Sequence, residues 1–550
     1  MTHYFGVTER KREKMKFTVL SDIHYTSPEM LTETADPEKH LMSKVSRAAL
    51  YQAAMEDTDV MLLTGDLTNS GDRISHDELV EILRDIVKSG KKVYVTTATH
   101  DYHHFRAYVA KDCDRIKYTK HPWDEPFFDP KKADYSKIVD EKFADLPRKD
   151  LVPSLVKSYS MEELWKLYYE FGPKDAVSVC EEAHAYCAEL SPDTWCLMLN
   201  DDFRNVEQGN SSATYSPTCL EWIKRVLDEA KKKGVFVFAC SHHPLVPPLP
   251  AYRIGADYKN MRKPYVGHML ADMGINLAFT GHTHFSDIGF LRSDSGNLLC
   301  DITTPSVRFY PPEYRVVDLD GNNGRISVRS VEIGDIEGED LGGKTVKEHI
   351  KEEFIDGYRK KIAGMKPPFN KLIANACVKH LYPLCKHAAG LTPDEYNQIK
   401  DVHIFDVLMT CVTNMLGGDG EYTPDTPMYK FMMGLCAVID SVIETQPFYD
   451  VRKNVLKGYT VSEIIEPMLF NNYVPDRNAD FDFTKEPEKK MPTPVIVDHT
   501  GDVLMTLLSL AVLPLLKAAP VAAAAALPGL TVLHKLKRKK NAPMPEKYYR

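Results

Sequence analysis

Residues 17–24 read Phe-Thr-Val-Leu-Ser-Asp-Ile-His. The first four form a short apolar run of the kind that fills a buried strand. Asp22 and His24 then fall at the point where that strand ends. The same pattern returns four more times. Val60–Leu63 runs into Gly65-Asp66, and Val93–Thr97 into His100-Asp101. Val235–Ala239 runs into His242-His243-Pro244, and Ile275–Phe279 into Gly281-His282-Thr283-His284. Amphipathic helical stretches at Ser46–Glu56, His76–Lys88 and near Thr218–Lys232 separate the runs. Strands alternating with helices predict an α/β layer fold. In such folds functional groups gather at the carboxyl ends of the strands, so five sequence-distant motifs are expected to share one cleft.

Working outward, Trp195–Leu199 is a further strand candidate, and the spacing predicts strands at Ile288–Leu291, Leu298–Ile302, Tyr314–Leu319 and Ile326–Val331. Turns such as Ser295-Gly296 and Asp320-Gly321 suit antiparallel pairs there. Residues 103–190 are rich in Lys, Asp, Pro and aromatics and read as an insertion, with helices at Ser160–Glu170 and Ser178–Ala188. After a Gly-rich acidic hinge, Gly334–Gly343, the pattern turns helical: Val346–Ile362, Pro393–Met415 with Thr392 as N-cap, and Pro427–Glu444. The expected organisation is an N-terminal extension over 1–15, the motif-bearing domain over 16–333, and an all-α C-terminal domain over 345–475. A linker over 476–500 and an apolar segment with a basic tail over 501–550 complete it.

The motif residues are of the types that hold metal ions. Imidazole nitrogen and carboxylate oxygen bind Zn²⁺, Mn²⁺ or Fe. A carboxylate can bridge two such ions, and a pair of ions acidifies a bound water and clamps both oxygens of a phosphoryl displacement. Any one motif alone is an ordinary turn or a satisfied histidine. All five in order, each at a strand end, point to a dinuclear metal site.

Composition bounds the remaining possibilities. The chain has 550 residues, more than one ordinary core accommodates. Lys and Arg number 69 against 78 Asp and Glu, a net charge of −9 that argues against general nucleic-acid binding. The 11 cysteines include no C-x-x-C pair, which fits a reducing compartment, and the first residues have no apolar secretory core. These features lead us to expect a cytoplasmic protein. Neither a Walker loop, a dinucleotide glycine fingerprint nor a serine nucleophile elbow is visible.

The ordered set D-x-H, G-D, x-x-H-D, H-H-P and G-H-x-H resembles the calcineurin-like metallophosphoesterases over about Lys16 to Val331. The resemblance implies a two-layer β-sandwich flanked by helices. It implies Asp22, His24 and His284 as ligands of one metal, Asp66 as the bridge, and His242 and His282 as ligands of the second. It implies that His100 contacts the phosphoryl oxygen and protonates the leaving group, with Asp101 orienting it, while a metal-bridging hydroxide attacks. The family pattern at the third motif is Gly-Asn-His-Asp or Gly-Asn-His-Glu. Here it reads Ala98-Thr99-His100-Asp101. A hydroxyl in place of an amide oxygen makes Thr99 a poorer ligand, so the second metal is expected to bind more weakly.

For the substrate, Ser306–Asp320 is similar to the closing strand of bacterial class III cyclic-nucleotide phosphodiesterases, some of which carry an extra helical domain. A phosphodiester, with cyclic nucleotides as candidate, is therefore expected. The alternatives are a monoesterase or pyrophosphatase of the same fold, or a metal-binding regulatory module weakened by Thr99. His243, Arg253 and Arg262 are candidate substrate contacts. Asp201 and Asp202 read as a solvated turn, and His103 and His104 as surface or supporting residues. In the tail, Lys517 is the only charge between Val503 and Leu533, and HKLKRKK follows at 534–540. Two readings stay open for 503–540: an interfacial hairpin pinned to anionic lipid, or an Ala/Leu-rich helix packed on the helical domain.

Overall fold

The computed structural model describes residues 14–31, 37–69, 71–102, 159–201, 214–248, 266–364, 375–418, 420, 422–443, 456, 459–469 and 476–486. His103, His104, Asp202, Arg253, Arg262 and the apolar tail lie outside the described residues. Among the described residues no helix is long and apolar enough to cross a membrane.

Two mixed sheets face each other. The first six elements are β1 (Met15–Leu20), α1 (Pro37–Met55), β2 (Val60–Thr64), α2 (Arg73–Lys88), β3 (Lys92–Thr96) and α3 (Met161–Leu167). Next come β4 (Ser178–Cys180), β5 (Ala185–Ser191), β6 (Thr194–Met198), α4 (Pro217–Lys233), β7 (Phe236–Cys240) and α5 (Val266–Met273). Then follow β8 (Leu277–Thr280), β9 (Asp287–Arg292), β10 (Leu298–Thr303), β11 (Glu313–Asp320) and β12 (Arg325–Glu332). The first sheet is ordered β12-β11-β1-β2-β3 with a further edge strand described below, and the second β4-β5-β6-β7-β8-β10-β9. β1, β2 and β3 run parallel, as do β6, β7, β8 and β10.

Strand β2 shows why a continuous apolar run forms here. Val60 and Leu62 enter the core between the sheets beside Phe17, Phe238 and Phe279. Met61 and Leu63 face the other way, against α1 and α2. A strand covered on both faces has no polar side to alternate with. Helices α4 and α5 cover the outer face of the second sheet. Ser216 caps α4, Pro217 opens it and Gly234 ends it in the left-handed conformation, the usual start and stop signals.

Three expectations need correction. Ser178–Ala188 is not a helix in an insertion but two antiparallel strands, β4 and β5, joined by a turn at left-handed His184. Its side chains alternate: Ala185 and Cys187 face the helices, and Tyr186 and Ala188 face the other sheet. The expected helix Pro393–Met415 is two helices. After α6 (Val346–Ala363) and α7 (Val378–Ala389) come α8 (Pro393–Ile399), capped by Thr392, and α9 (Ile404–Gly417). The break lets the backbone around Val402 and Ile404 bond to Val378 and Ala376. Finally, after α10 (Pro427–Ile443) and α11 (Val461–Leu469), Asn478–Asp482 is not linker but β13, which pairs antiparallel with β12 at the edge of the first sheet. Ala479 and Phe481 of this strand face the inter-sheet core, a period-two pattern obscured by its Asp and Asn neighbours.

The helical region also shares its core with the sheets. Val407 and Cys411 of α9 pack with α7, α10 and α11. Phe405, Met409, Val412 and Leu416 belong instead to the core that also holds Phe285, Tyr310 and the inner faces of α1 and α2.

Candidate metal centre

The five motifs converge where the two sheets meet. Asp22 N–H donates to the Gly65 carbonyl at 3.1 Å, and His24 N–H to that of Asp66 at 2.9 Å, so the loops after β1 and β2 extend the pairing of their strands. Across the sandwich, His282 N–H donates to Asp22 Oδ2 at 2.7 Å. Glycine is required at two of these approaches. A Cβ on Gly65, at φ +99°, would lie 2.8 Å from His242 Nδ1, and one on Gly281 would lie 1.7 Å from Ser21 Oγ.

The ligand atoms assemble around two carboxylates. Asp22 Oδ2 is held by Ser21 Oγ at 2.6 Å as well as by His282 N–H, which leaves Oδ1 for the cleft. That oxygen lies 3.2 Å from His284 Nε2 and 3.6 Å from His24 Nε2. Asp66 Oδ1 accepts from His100 N–H at 2.9 Å, and its Oδ2 lies 3.2 Å from His242 Nε2 and 3.9 Å from His24 Nε2. His282 Nδ1 is 3.2 Å from His242 Nε2. Three triads have ligand atoms within 4.8 Å of one another: Asp22–His24–His284, His24–Asp66–His100 and Asp66–His242–His282. Asp66 is common to two of them, as a bridging carboxylate must be.

The donor chemistry fits a pair of divalent ions. Asp22 Oδ1 and Thr99 Oγ1 are both buried with no hydrogen-bond partner, and such orphans are rare in folded proteins. Burial pushes the Asp22 carboxyl up, but His284, His242 and the His24 contact outweigh it and hold it well below the usual range. Asp66 behaves alike: burial is opposed by His242 and His100. Burial drives the His24 imidazole down to about 4, and that of His282 well below its ordinary value through burial, His243 and His242. Charged carboxylates beside neutral imidazoles are the protonation states that a metal ion needs.

Neighbouring groups fix the rings. His242 Nδ1–H donates to the Thr64 carbonyl at 2.9 Å, which turns Nε2 to the cleft. His100 is held the same way, by Nδ1–H to the Asn69 carbonyl at 2.8 Å. The orienting contact expected from Asp101 is thus made by Asn69. The buried Asp101 carboxylate instead accepts from Thr68 N–H and Ala98 N–H, at 2.8 and 2.9 Å, and ties the third loop to the second. His243, expected at the substrate, is 1% exposed; its Nδ1 lies 3.1 Å from Asp201 and its ring 4.0 Å from that of His282. Its buried ring lies against the candidate ligand His282 and is held by Asp201. Asp201, expected in a solvated turn, is fully buried and accepts from Ser241 Oγ and His243 N–H.

Several residues of the site were silent in the sequence. Ser306 Oγ donates to the Asp22 carbonyl at 2.6 Å. The buried Arg308 guanidinium donates to the His24 carbonyl at 2.5 Å. Phe309 stacks on His284 with centroids 5.0 Å apart, meets His24 edge-on, and is 40% exposed. An apolar ring left open beside two ligands signals a contact surface, but nothing marks it in sequence before the fold brings it there.

Residues 15–286 match the family model of the calcineurin-like phosphoesterases. Among curated proteins nothing matches the chain. Among solved structures it is similar to a dimetal phosphatase from Danio rerio, at 12% identity over 58% of this chain and 97% of that one, with a TM-score of 0.33. It is also similar to a putative 5'-nucleotidase from Staphylococcus aureus, at 12% identity over 72% of each chain and a TM-score of 0.34. The part of the chain that carries the two carboxylates and their histidines therefore belongs to the calcineurin-like phosphoesterase family, a family of hydrolases acting on phosphoester bonds.

Proposed function

We propose that this chain is a two-metal phosphodiesterase, with cyclic nucleotides as its candidate substrates. The observation that carries the reading is the shared Asp66, whose Oδ2 stands between the His24 and His242 nitrogens. Asp22, His24 and His284 would hold one ion, and His242 and His282 the other, with Asp66 between them. The Thr99 hydroxyl adds a weak donor. Imidazole and carboxylate donors suit Mn, Fe or Zn. When bound, the ions supply Lewis-acid polarisation of the phosphoryl oxygens and acidify the attacking water.

The chain's own groups do the rest. Ser21 and the His282 amide fix Asp22, and the His100 amide fixes Asp66, so neither carboxylate rotates as charge develops. His100 Nδ1–H stays with Asn69, so Nε2 is the atom that faces the ester; the ring in its doubly protonated form gives the Nε2 proton to the leaving oxygen and keeps the one on Nδ1. Phe309 offers an aromatic face to the leaving group, which supports a nucleoside or aryl ester over a plain alkyl one.

The test is a panel of cyclic nucleotides, an aryl phosphodiester, monoesters and pyrophosphate, with added Mn²⁺, for the parent chain and Asp66→Asn. Loss of one bridging charge is expected to lower turnover by about 100-fold or more. Undiminished turnover in Asp66→Asn would sink the assignment. Thr99, a hydroxyl where the family pattern has an amide oxygen, favours one other reading, a weakened metal-binding module, for which one bound metal and no turnover is the expected result.

A further inference from the structure

The loop that carries His282 and His284 runs directly into parts of the chain that lie beyond the matched family segment, which ends at residue 286. Phe285 is buried in the same apolar core as Phe405, Met409, Val412 and Leu416 of α9. Ser286 N–H donates to the Leu416 carbonyl at 2.8 Å, in the last turn of that helix. Ile288 N–H donates to Asp476 Oδ1 at 2.8 Å. Gly418, at φ +80°, lies so close that a Cβ there would stand 2.2 Å from the Ser286 carbonyl oxygen. The grip comes from one helix end and one residue just before β13, more than a hundred residues downstream.

Asp476 is itself anchored to the first sheet. The Arg315 guanidinium, fully buried, donates to the Asp476 carbonyl, to Ser330 Oγ at 2.8 Å and to the Thr303 carbonyl at 2.9 Å. The next residue, Arg477, pairs with the buried Glu313 at 2.6 Å and with Glu332 at 2.7 Å. Ser330 N–H donates to its carbonyl at 2.7 Å. A buried acid and a buried base are costly unless paired, so loss of these contacts would be expensive. Its end nearest the site is the carboxylate that holds Ile288.

We propose that α9 and the segment at Asp476 form a clamp on the His282–His284 loop, with Asp476 a positioning residue for the metal held by Asp22, His24 and His284. The inference rests on the two-metal reading above and assigns the helical region a part in it. Ligands must sit within about half an ångström of their productive place, and the groups that hold them tune affinity by about 10- to 100-fold. His284 is two residues from Ser286 and four from Ile288, with no strand of its own before β9. The clamp therefore supplies the rigidity that β8 supplies to His282 from the other side.

The experiment titrates Mn²⁺ into the metal-free full chain by calorimetry, with thermal melting of each variant alongside. The variants are Asp476→Ala, which removes the acceptor for Ile288 N–H; Asp476→Asn, which keeps an oxygen there; and Gly418→Ala, which pushes on Ser286 from the helix side. The clamp predicts that Asp476→Ala and Gly418→Ala each weaken one of two Mn²⁺ sites about 10- to 100-fold and leave the other near the parent value. Asp476→Asn is expected to restore most of the loss. Should Asp476→Ala fail to fold, Gly418→Ala and Asp476→Asn carry the same comparison. Folded variants that bind both ions as the parent does overturn the clamp alone. A parent that binds no Mn²⁺ overturns the two-metal reading and the clamp with it.

Discussion

Replacing Ser21 with alanine removes one atom that never touches the substrate, yet it should change the metal dependence of the enzyme. Asp22 is fully buried, and its Oδ2 has two donors, Ser21 Oγ at 2.6 Å and His282 N–H at 2.7 Å. A hydrogen bond to a charged group is worth about 1.5–3 kcal/mol. At about 1.4 kcal/mol per factor of ten, losing it corresponds to roughly 10- to 100-fold. The loss falls on metal binding because both hydrogen bonds serve to keep Oδ1 aimed at His24 and His284. The assay is turnover of an aryl phosphodiester against Mn²⁺ concentration, for the parent and Ser21→Ala. The half-saturating Mn²⁺ should rise by about 10- to 100-fold while the rate at saturating metal stays close to the parent's. An unchanged half-saturation point, in a variant that melts like the parent, would refute the claim that Ser21 orients Asp22. A lowered plateau with an unchanged midpoint would place Ser21 in the chemistry.

Two further outcomes test the rest of the site and its frame. Phe309→Ala should cost about 1 kcal/mol of stacking, or roughly fivefold in kcat/KM, for nucleoside and aryl esters and little for alkyl esters; an equal fall for both would show that the ring only buttresses His284. Asp301, fully buried beneath Leu245 N–H, Val246 N–H and Thr280 Oγ, has its carboxyl pushed up to about 6, mainly by burial. A raised carboxyl contributes stability that is complete below pH 4 and is lost as pH rises to 6, on the order of 3 kcal/mol. Asp301→Asn should flatten that part of the profile in denaturant melts of the metal-free chain from pH 4 to 7. A variant with the parent's slope would show that Asp301 titrates normally.

Much of this was legible because strands and ligands announce themselves together. Val60–Leu63 is apolar throughout because both faces of its strand are covered, and Gly65-Asp66 follows after Thr64. What stayed hidden has a physical cause in each case. β5 alternates in a pattern that a helix of the same composition also fits, and only the left-handed turn at His184 decides between them. β13 carries three Asp or Asn residues in five, so its two inward residues look like accidents in a polar tract. Asp201, Ser306 and Asp476 act through hydrogen bonds to residues 40 to 284 positions away, and short polar side chains with such partners leave no local spacing to read.

The clearest signal of all, D-x-H and H-x-H, has a backbone reason as well as a chemical one. Asp22, His24, Asp66, His282 and His284 all have φ between +46° and +65°. That conformation costs an L residue about 1 kcal/mol or more, and Asp and His tolerate it better than most. At each strand end it turns the chain sharply and throws the side chain back toward the cleft. Two such residues one apart put both side chains into the site, while the one between is free to face elsewhere, as Ile23 does in the core. Glycine would turn the chain at less cost but would bring no donor atom. Bulky β-branched residues would bring neither a donor nor the turn. The strain is held by bonds on the same backbone, from Ser306 to the Asp22 carbonyl and from Arg308 to the His24 carbonyl. Ligand chemistry and chain reversal are thus met by the same few residue types, which is why the motif is so short and survives in a chain whose other contacts to the site are scattered over more than 400 residues.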